Sequence, residues 1–298
     1  MKFIKYFLYR LKWHLAKYID FKYPVHLDLE LNNNCNQKCI ACWHSERELP
    51  FKINIMSLSQ AKKFLDEGKE LKIKSVKFNL RGEPLLHPYL YEIIKYAKKI
   101  GYIETMINTN GIFLDQQLIN SLNKYLDTMI ISIDSFEIDE YCEIHNCTKR
   151  DFRKLMENLK ILSKMWIKNK LKMKVKLNYH LNLYNKNLSL ERYYTNFSMF
   201  KLIKNYTRKR YGKDIVIDDI YKKRLKKCPH MQRRITVLAD GKIYPCCMCY
   251  TENIYLQLGE KGLVNAWNSL KRLLLKQNYI RRQYLKICEN CTSNEIYK

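Results

Sequence analysis

The stretch Val25-His26-Leu27-Asp28-Leu29-Glu30-Leu31-Asn32-Asn33-Asn34-Cys35-Asn36-Gln37-Lys38-Cys39-Ile40-Ala41-Cys42 joins a strand to a cysteine loop. Apolar Val25, Leu27, Leu29 and Leu31 alternate with His26, Asp28 and Glu30, the two-residue period of a β-strand. The asparagine run breaks that period and leads into Cys35-x3-Cys39-x2-Cys42. Three thiolates at this spacing can hold three irons of a [4Fe–4S] cluster and leave the fourth iron without a protein ligand. An open position on a metal is where chemistry occurs rather than where structure is held. The competing readings are a zinc site or three ordinary core thiols.

Outward from this loop, strand-like and helix-like segments alternate. Strands are expected at Val25–Leu31, Ser75–Leu80, Ile103–Asn108, Thr128–Ile133 and Lys174–Leu181, with a sixth at Asp214–Ile217. Helices are expected at Ser57–Leu71, capped by Ser57, and at Pro88–Ile100, Asp115–Leu122, Asp151–Lys168 and Leu190–Asn205. The βα repetition predicts an α/β fold, with a parallel sheet and helices outside it. Strands buried on both faces read as continuous apolar runs. Here Lys77, Asn79 and Arg81, Ser132 and Asp134, and Lys176, Asn178 and His180 alternate with apolar neighbours. The alternation predicts a partly open barrel lined with polar groups. Past Leu225 a hairpin is expected at Ile235–Leu238 and Lys242–Pro245, turned by Asp240-Gly241.

Arg81-Gly82-Glu83-Pro84 follows the second strand, so this turn and the cysteine loop would open at one barrel mouth. The pair resembles the radical S-adenosylmethionine (SAM) enzymes. Their three-cysteine loop holds a [4Fe–4S] cluster, and a Gly-Gly-Glu-Pro turn holds the SAM amino group. The resemblance carries over Gly82, Glu83 and Pro84, while Arg81 stands where the first glycine usually is. Asn110, Ser132 and Asp134 look like the family's strand-end contacts to SAM. A turn-forming Asn-Gly and a strand-end cap are the plain alternatives. Trp43 stands beside Cys42 as the candidate cover for the adenine, since Ala41 replaces the family's aromatic.

Cys228-x12-Gly241-x4-Cys246, followed by Cys288-x2-Cys291, resembles the family's C-terminal SPASM extension. With no cysteine after Cys291, the match is to the shortened "twitch" form. That form implies an auxiliary [4Fe–4S] cluster on Cys228, Cys246, Cys288 and Cys291. Cys247 or Cys249 could replace Cys246, and zinc accepts the same thiolates. The expected organisation is an N-terminal basic amphipathic helix at 1–24, a partial (β/α)6 TIM-like barrel at 25–224, and a small cysteine-rich twitch/SPASM-like domain at 225–298.

The resemblance implies reductive cleavage of SAM to a 5′-deoxyadenosyl radical and removal of a hydrogen atom from substrate. An electron donor such as flavodoxin or ferredoxin is implied as partner. In the twitch picture the auxiliary cluster accepts the substrate's second electron, for a net two-electron oxidation. Arg81, Lys176 and His180 are candidates for the proton-accepting or substrate-binding group, from strand parity. The substrate is expected to be a polar, sugar- or aminocyclitol-like small molecule, with a peptide as alternative. The 34 residues before Cys35 are too few for a leader-binding domain, which favours the small molecule.

Composition limits the remaining classes. Hydrophobic residues make up 47% of the 298, enough for a full core, and eight Gly with six Pro argue against long disordered linkers. No apolar run is long enough to span a bilayer, and no signal peptide is evident. Eleven cysteines in a chain expected to be cytoplasmic point to metal rather than disulfides. Lys plus Arg (55) exceed Asp plus Glu (29) by 26, with basic runs at Lys149–Lys176 and Lys201–Lys227. Such a field favours anionic partners, although charge runs are also simply solvated surface. A zinc-bearing nucleic-acid-binding protein is the remote alternative, because nothing in that role requires the Gly-Glu-Pro turn. At the start, Phe3, Ile4, Phe7, Leu8, Leu11 and Leu15 share a helical stripe expected to pack against the barrel, with a membrane surface as the alternative.

Overall fold

The structure, a computed structural model, describes residues 2–16, 18–40, 42–45, 52–181, 191–206, 209–210, 213–214, 223–224, 226–247, 257–259, 262–285, 288, 291 and 295–296. Strands β1 (His26–Leu29), β2 (Ser75–Lys77), β3 (Glu104–Thr109), β4 (Thr128–Ser132), β5 (Lys174–Leu181) and β6 (Lys201–Tyr206) pair in chain order, all parallel. Helices α2 (Leu58–Glu70), α3 (Leu90–Lys99), α4 (Gln116–Leu122), α5 (Ile138–His145) and α6 (Lys149–Ile167) fall between them. The fold is an α/β partial barrel with a cysteine-bearing C-terminal part.

Local sequence sets most helix starts. Ser57 accepts from Gln60 N while the Gln60 side chain answers the Ser57 backbone, and Thr148 with Asp151 forms the same box. Asp115 caps α4. Leu27, Leu29, Val76, Ile107, Met129, Ile131, Val175 and Leu177 join one core with Leu65, Ile93, Ile94, Leu155 and Leu159 of the helices. The alternate strand residues point the other way and are buried as well: His26, Asp28, Glu30, Asn79, Arg81 and Asn178 line the interior. The polar-lined barrel read from strand parity is what the chain forms.

Two expectations about the last repeat of the barrel need correction. The sixth strand is Lys201–Tyr206, in register with β5 from Lys176↔Lys201 to Leu181↔Tyr206. Lys213–Asp214 instead makes a two-residue antiparallel ladder with Lys209–Arg210, and 215–217 lie outside the described residues. The helix expected over Leu190–Asn205 stops at Asn196, as α7 (Glu191–Asn196). Phe197 and Phe200 then turn inward to the core, where Phe197 stacks on Phe136 at 6.1 Å, and Tyr193 Oη donates to Phe200 O at 2.9 Å. From Lys201 onward the open edge of β5 supplies a ladder that overrides helical periodicity. Helix α5 has no counterpart among the helices expected from the sequence.

The hairpin at Arg234–Val237 and Ile243–Tyr244 forms as expected, with Gly241 at φ +87° in its turn. Its first strand pairs parallel with β1, His26↔Arg234 through Leu29↔Val237, so it extends the barrel sheet.

Helix α1 (Lys2–Leu15) closes the end of the barrel where the strands begin. Tyr6 Oη donates to Glu104 Oε1 at 3.4 Å, the Trp13 ring meets His26 edge-on at 5.4 Å, and Arg233 lies 4.0 Å over Trp13. The inward face is therefore Tyr6, Tyr9, Trp13 and Ala16. The apolar stripe expected to pack on the barrel faces outward instead: Ile4, Phe7, Leu8 and Leu11 are exposed. The aromatic residues won the inward face because each reaches a polar or cationic partner at the barrel floor.

Candidate active site

The loop after β1 and the turn after β2 are joined by one side-chain and one backbone hydrogen bond. Asn32 Nδ2 donates to Glu83 O at 2.9 Å, Glu83 N donates to Asn34 O at 2.8 Å, and Asn32 Oδ1 accepts from Asn34 N at 3.0 Å. Asn36 Oδ1 accepts from Asn110 Nδ2 at 2.8 Å, which ties the loop to the end of β3 as well. The asparagine run that reads only as a polar loop is thus the clasp holding Cys35 against the Gly-Glu-Pro turn.

Gly82 is required here by space. A Cβ would meet Asn32 O at 2.5 Å and Asn34 O at 2.6 Å, both backbone atoms that cannot swing aside. Glu83 follows, buried, with Oε1 accepting from Thr109 Oγ1 at 2.6 Å and Leu85 N at 3.0 Å, and Oε2 from Asn110 N at 2.8 Å. Burial pushes its carboxyl up to about 7 even though the three donors favour the anion.

Arg81 does not face an open cavity. Its guanidinium grips Glu30 through Nε to Oε1 at 2.9 Å and Nη2 to Oε2 at 2.7 Å, both side chains being buried. Arg81 N also donates to Glu30 Oε1 at 3.0 Å, and Ala239 N donates to Glu30 Oε2 at 3.0 Å. One carboxylate thus joins β1, the Gly-Glu-Pro turn and the C-terminal hairpin. A guanidinium fixed in this way stays protonated and is unsuited to accept a proton. Lys176 lies at the opposite end of the strands from the cysteine loop: it pairs in register with Lys201, and its neighbours in charge are Glu104, Lys201, Arg10 and Lys174. The side chains of His180 and Trp43 lie outside the described residues.

At the mouth, Cys35, Cys39 and Cys42 are half-buried, and burial pushes the Cys35 thiol up to about 12, with Glu83 and Cys42 adding to the rise. Asp134 is buried at the end of β4, and Ser132 half-buried. Sequence reading missed His145, at the end of α5. Its Nδ1 lies 3.2 Å from Cys39 Sγ and its Nε2 3.3 Å from Asp134 Oδ2, with the ring stacked on Tyr141 at 4.1 Å. Tyr141 Oη accepts from Gln37 Nε2 at 3.2 Å. No local signal marks these residues, because they reach the loop across more than 100 positions.

A second thiol group gathers in the C-terminal part, where Cys228 neighbours Cys288 and Cys291. Cys228, Cys246, Cys288 and Cys291 are all buried. Burial raises the Cys228 thiol to about 12, and Cys291 and Cys288 raise it further. Cys247 and Cys246 act on Arg234, and Cys228 and Cys247 on Arg233. Cys249 lies outside the described residues.

Both thiol groups fit iron–sulfur clusters by the chemistry of their donors. Among the described residues, no three His, Cys, Asp or Glu side chains converge tightly enough to chelate one ion. A four-iron cube takes thiolates spaced more widely than a single ion does. Glu83, a buried carboxylate supplied with neutral donors but with no cation among the described residues, fits the ammonium of an amino acid.

Comparison with known proteins agrees. The Radical SAM superfamily profile matches residues 29–181, which is 153 of 298, and the chain belongs to that superfamily. The iron–sulfur cluster-binding domain called SPASM matches residues 228–292. The cofactors are accordingly [4Fe–4S] clusters and SAM. Among curated relatives, GTP 3′,8-cyclase of Chlorobaculum tepidum is 28% identical over 124 residues, 41% of this chain and 36% of that one. The SAM-dependent tRNA 4-demethylwyosine synthase of Methanocaldococcus jannaschii is 31% identical over 161 residues, 43% and 49%. The chain thus spans less than half the length of each. BtrN, solved with AdoMet and 2-DOIA, has a similar fold at 18% identity, with a TM-score of 0.60 over 92% of this chain and 94% of that one. Streptococcus suis SuiB bound to S-adenosylmethionine gives 0.62 at 16% identity over 94% and 73%.

Proposed function

We propose that this protein cleaves SAM reductively and removes a hydrogen atom from a polar, sugar- or aminocyclitol-like small molecule, in a two-electron oxidation assisted by an auxiliary cluster. The observation that carries the reading is the clasp between the Asn32–Cys35 loop and Glu83, which sets a three-thiol loop beside a buried carboxylate that has no cation among the described residues. In this reading Cys35, Cys39 and Cys42 hold the first cluster, and Cys228, Cys288 and Cys291 hold the second with Cys246, or with Cys247 or Cys249 in its place. Together with SAM, the first cluster supplies one-electron cleavage of a C–S bond and the hydrogen-abstracting power that follows.

The chain's own groups bind and orient. Glu83, backed by Thr109 and Asn110, receives the SAM amino group. Gly82 lets that turn approach the cysteine loop, and the Glu30–Arg81 pair fixes the turn's base against β1 and the hairpin. His145 and Asp134 set the orientation of Cys39. Ser132 is the strand-end position for SAM, and Asn178 and His180 are the strand positions assigned to substrate. The polar lining, together with BtrN's solution with 2-DOIA, supports the small molecule. A peptide substrate is the second reading, supported by the structure of SuiB bound to precursor peptide SuiA, whose TM-score is 0.60. A reductant of flavodoxin or ferredoxin type and a cytoplasmic setting belong to the same proposal.

The test is anaerobic turnover of the reconstituted chain with SAM and dithionite, measuring 5′-deoxyadenosine. Deuterium reaching that product from a deuterated aminocyclitol or sugar supports the first reading. Transfer only from peptides supports the second. No product above that of a Cys35→Ala variant would refute both.

A further inference from the structure

At the barrel end opposite the cysteine loop, α1 presents to water the surface that a helix normally hides. Ile4, Phe7, Leu8 and Leu11 are 60%, 58%, 50% and 44% exposed, although Tyr9 on the opposite side of the same helix, and Ala16 just past its end, are buried. The apolar residues recur at i, i+3, i+4 and i+7, so they form one continuous stripe. A helix serving only to close the barrel would place charged residues there.

The surroundings are basic. Lys5 and Lys12 of α1 are exposed beside the stripe, and Lys69 at the end of α2, with Lys72 and Lys74 of the α2–β2 connection, lies near them. Burial first, and then Lys69, Lys12, Lys5 and Lys72, hold the Lys74 ammonium below its ordinary value, so these cations share one field. Arg10, Lys174 and Lys201 also gather around Lys176, with Glu104 among them. Of the acidic groups at this end, Glu104 lies buried under Tyr6 and Asp127 pairs with Lys98 at 2.7 Å, while Glu70 at the end of α2 is exposed. Helix α6 ends here too, leaving Trp166 and Ile167 exposed ahead of Lys168, Lys170 and Lys172.

We propose that α1 and the lysine-rich end of the barrel are a docking surface for an anionic phospholipid bilayer, with Ile4, Phe7, Leu8 and Leu11 seated at the acyl boundary and the lysines on the headgroups. An apolar stripe flanked by lysines on a helix lying flat is the arrangement that partitions into a charged interface. A nucleic acid would use the charge but not the stripe. A second copy would bring the same positive charge against it. Docked in this way, the protein turns its cysteine-loop mouth away from the membrane.

The test is co-sedimentation of the full, anaerobically reconstituted chain with vesicles of phosphatidylglycerol and phosphatidylcholine in equal parts, or of phosphatidylcholine alone, at about 0.1 M salt. The expected result is binding to the anionic vesicles only, reduced about tenfold or more in a Phe7→Ser, Leu11→Ser variant whose melting temperature is unchanged. Separately, a Phe7→Trp variant should show new fluorescence quenched by brominated acyl chains. No binding to anionic vesicles would overturn the proposal. So would equal binding by the serine variant, which would mean charge alone, or self-association or a protein partner lost with the same substitutions and without lipid.

Discussion

Replacing Glu83 by Gln should separate what this carboxylate costs the empty protein from what it contributes to SAM binding. Its pKa is raised from 4.5 to about 7 by burial. A carboxyl raised in the folded state favours folding below its unfolded pKa, and that advantage is lost as pH rises through the folded value. The empty protein should therefore lose stability between about pH 4.5 and 7 on account of this group alone. At about 1.36 kcal/mol per pH unit, the difference between 7 and 4.5 amounts to ~3 kcal/mol above pH 7. The amide of the Glu83→Gln variant would carry no charge but would set an NH2 against donors that now face the carboxylate, at a cost of about 1–3 kcal/mol. The two effects nearly cancel, so the variant should melt at or slightly above the wild-type temperature near pH 8 and show a flatter pH dependence. SAM binding should move the other way. Loss of a charge-assisted hydrogen bond of about 1.5–3 kcal/mol weakens affinity roughly 10- to 150-fold. Thermal melts of the metal-free protein across pH and anaerobic SAM titration of the reconstituted protein measure both. An unchanged SAM affinity, or a melting temperature at pH 8 that falls by many degrees, would refute the argument.

Other substitutions test the neighbouring links. Arg81→Leu leaves Glu30 buried and unpaired and should cost about 3–5 kcal/mol, whereas Arg81→Leu with Glu30→Leu should cost clearly less; denaturant titration of the three variants checks the difference. Gly82→Ala should destabilise by about 1–3 kcal/mol and weaken SAM binding, because the added methyl meets the Asn32 and Asn34 carbonyls. Wild type should reconstitute with about eight irons, and Cys228→Ser or a Cys35→Ala variant with about four, by iron and sulfide analysis. Zinc in place of four of the irons would remove the auxiliary cluster. His145→Phe should keep the iron count but shift the reduction midpoint of the first cluster, since it removes a polar atom 3.2 Å from the Cys39 sulfur.

The features legible in the chain before folding are local or periodic. The period of β1 and its break at Asn32, the Ser57 cap and the Asp240-Gly241 turn are governed by neighbours within a few residues. The cysteine spacing and the Gly-Glu-Pro turn are legible for the same reason, and the shared direction of parallel strands places them at one mouth. Strand parity also reveals the polar lining. It does not say which polar groups are already taken. Arg81 looks available and is consumed by Glu30, 51 positions away, while Lys176 shares the right face but stands at the wrong end of it. The sixth strand is decided by the free edge of β5, which offers a ladder to whatever segment returns there, and the sequence from Lys201 has no marker for that edge. Helix α1 shows the same limit: its stripe is plain in the sequence, but only the barrel floor, where Glu104, His26 and Arg233 await Tyr6 and Trp13, decides which side faces in. Contacts of this kind form between residues far apart in the chain, and their energy depends on a partner the local sequence does not contain.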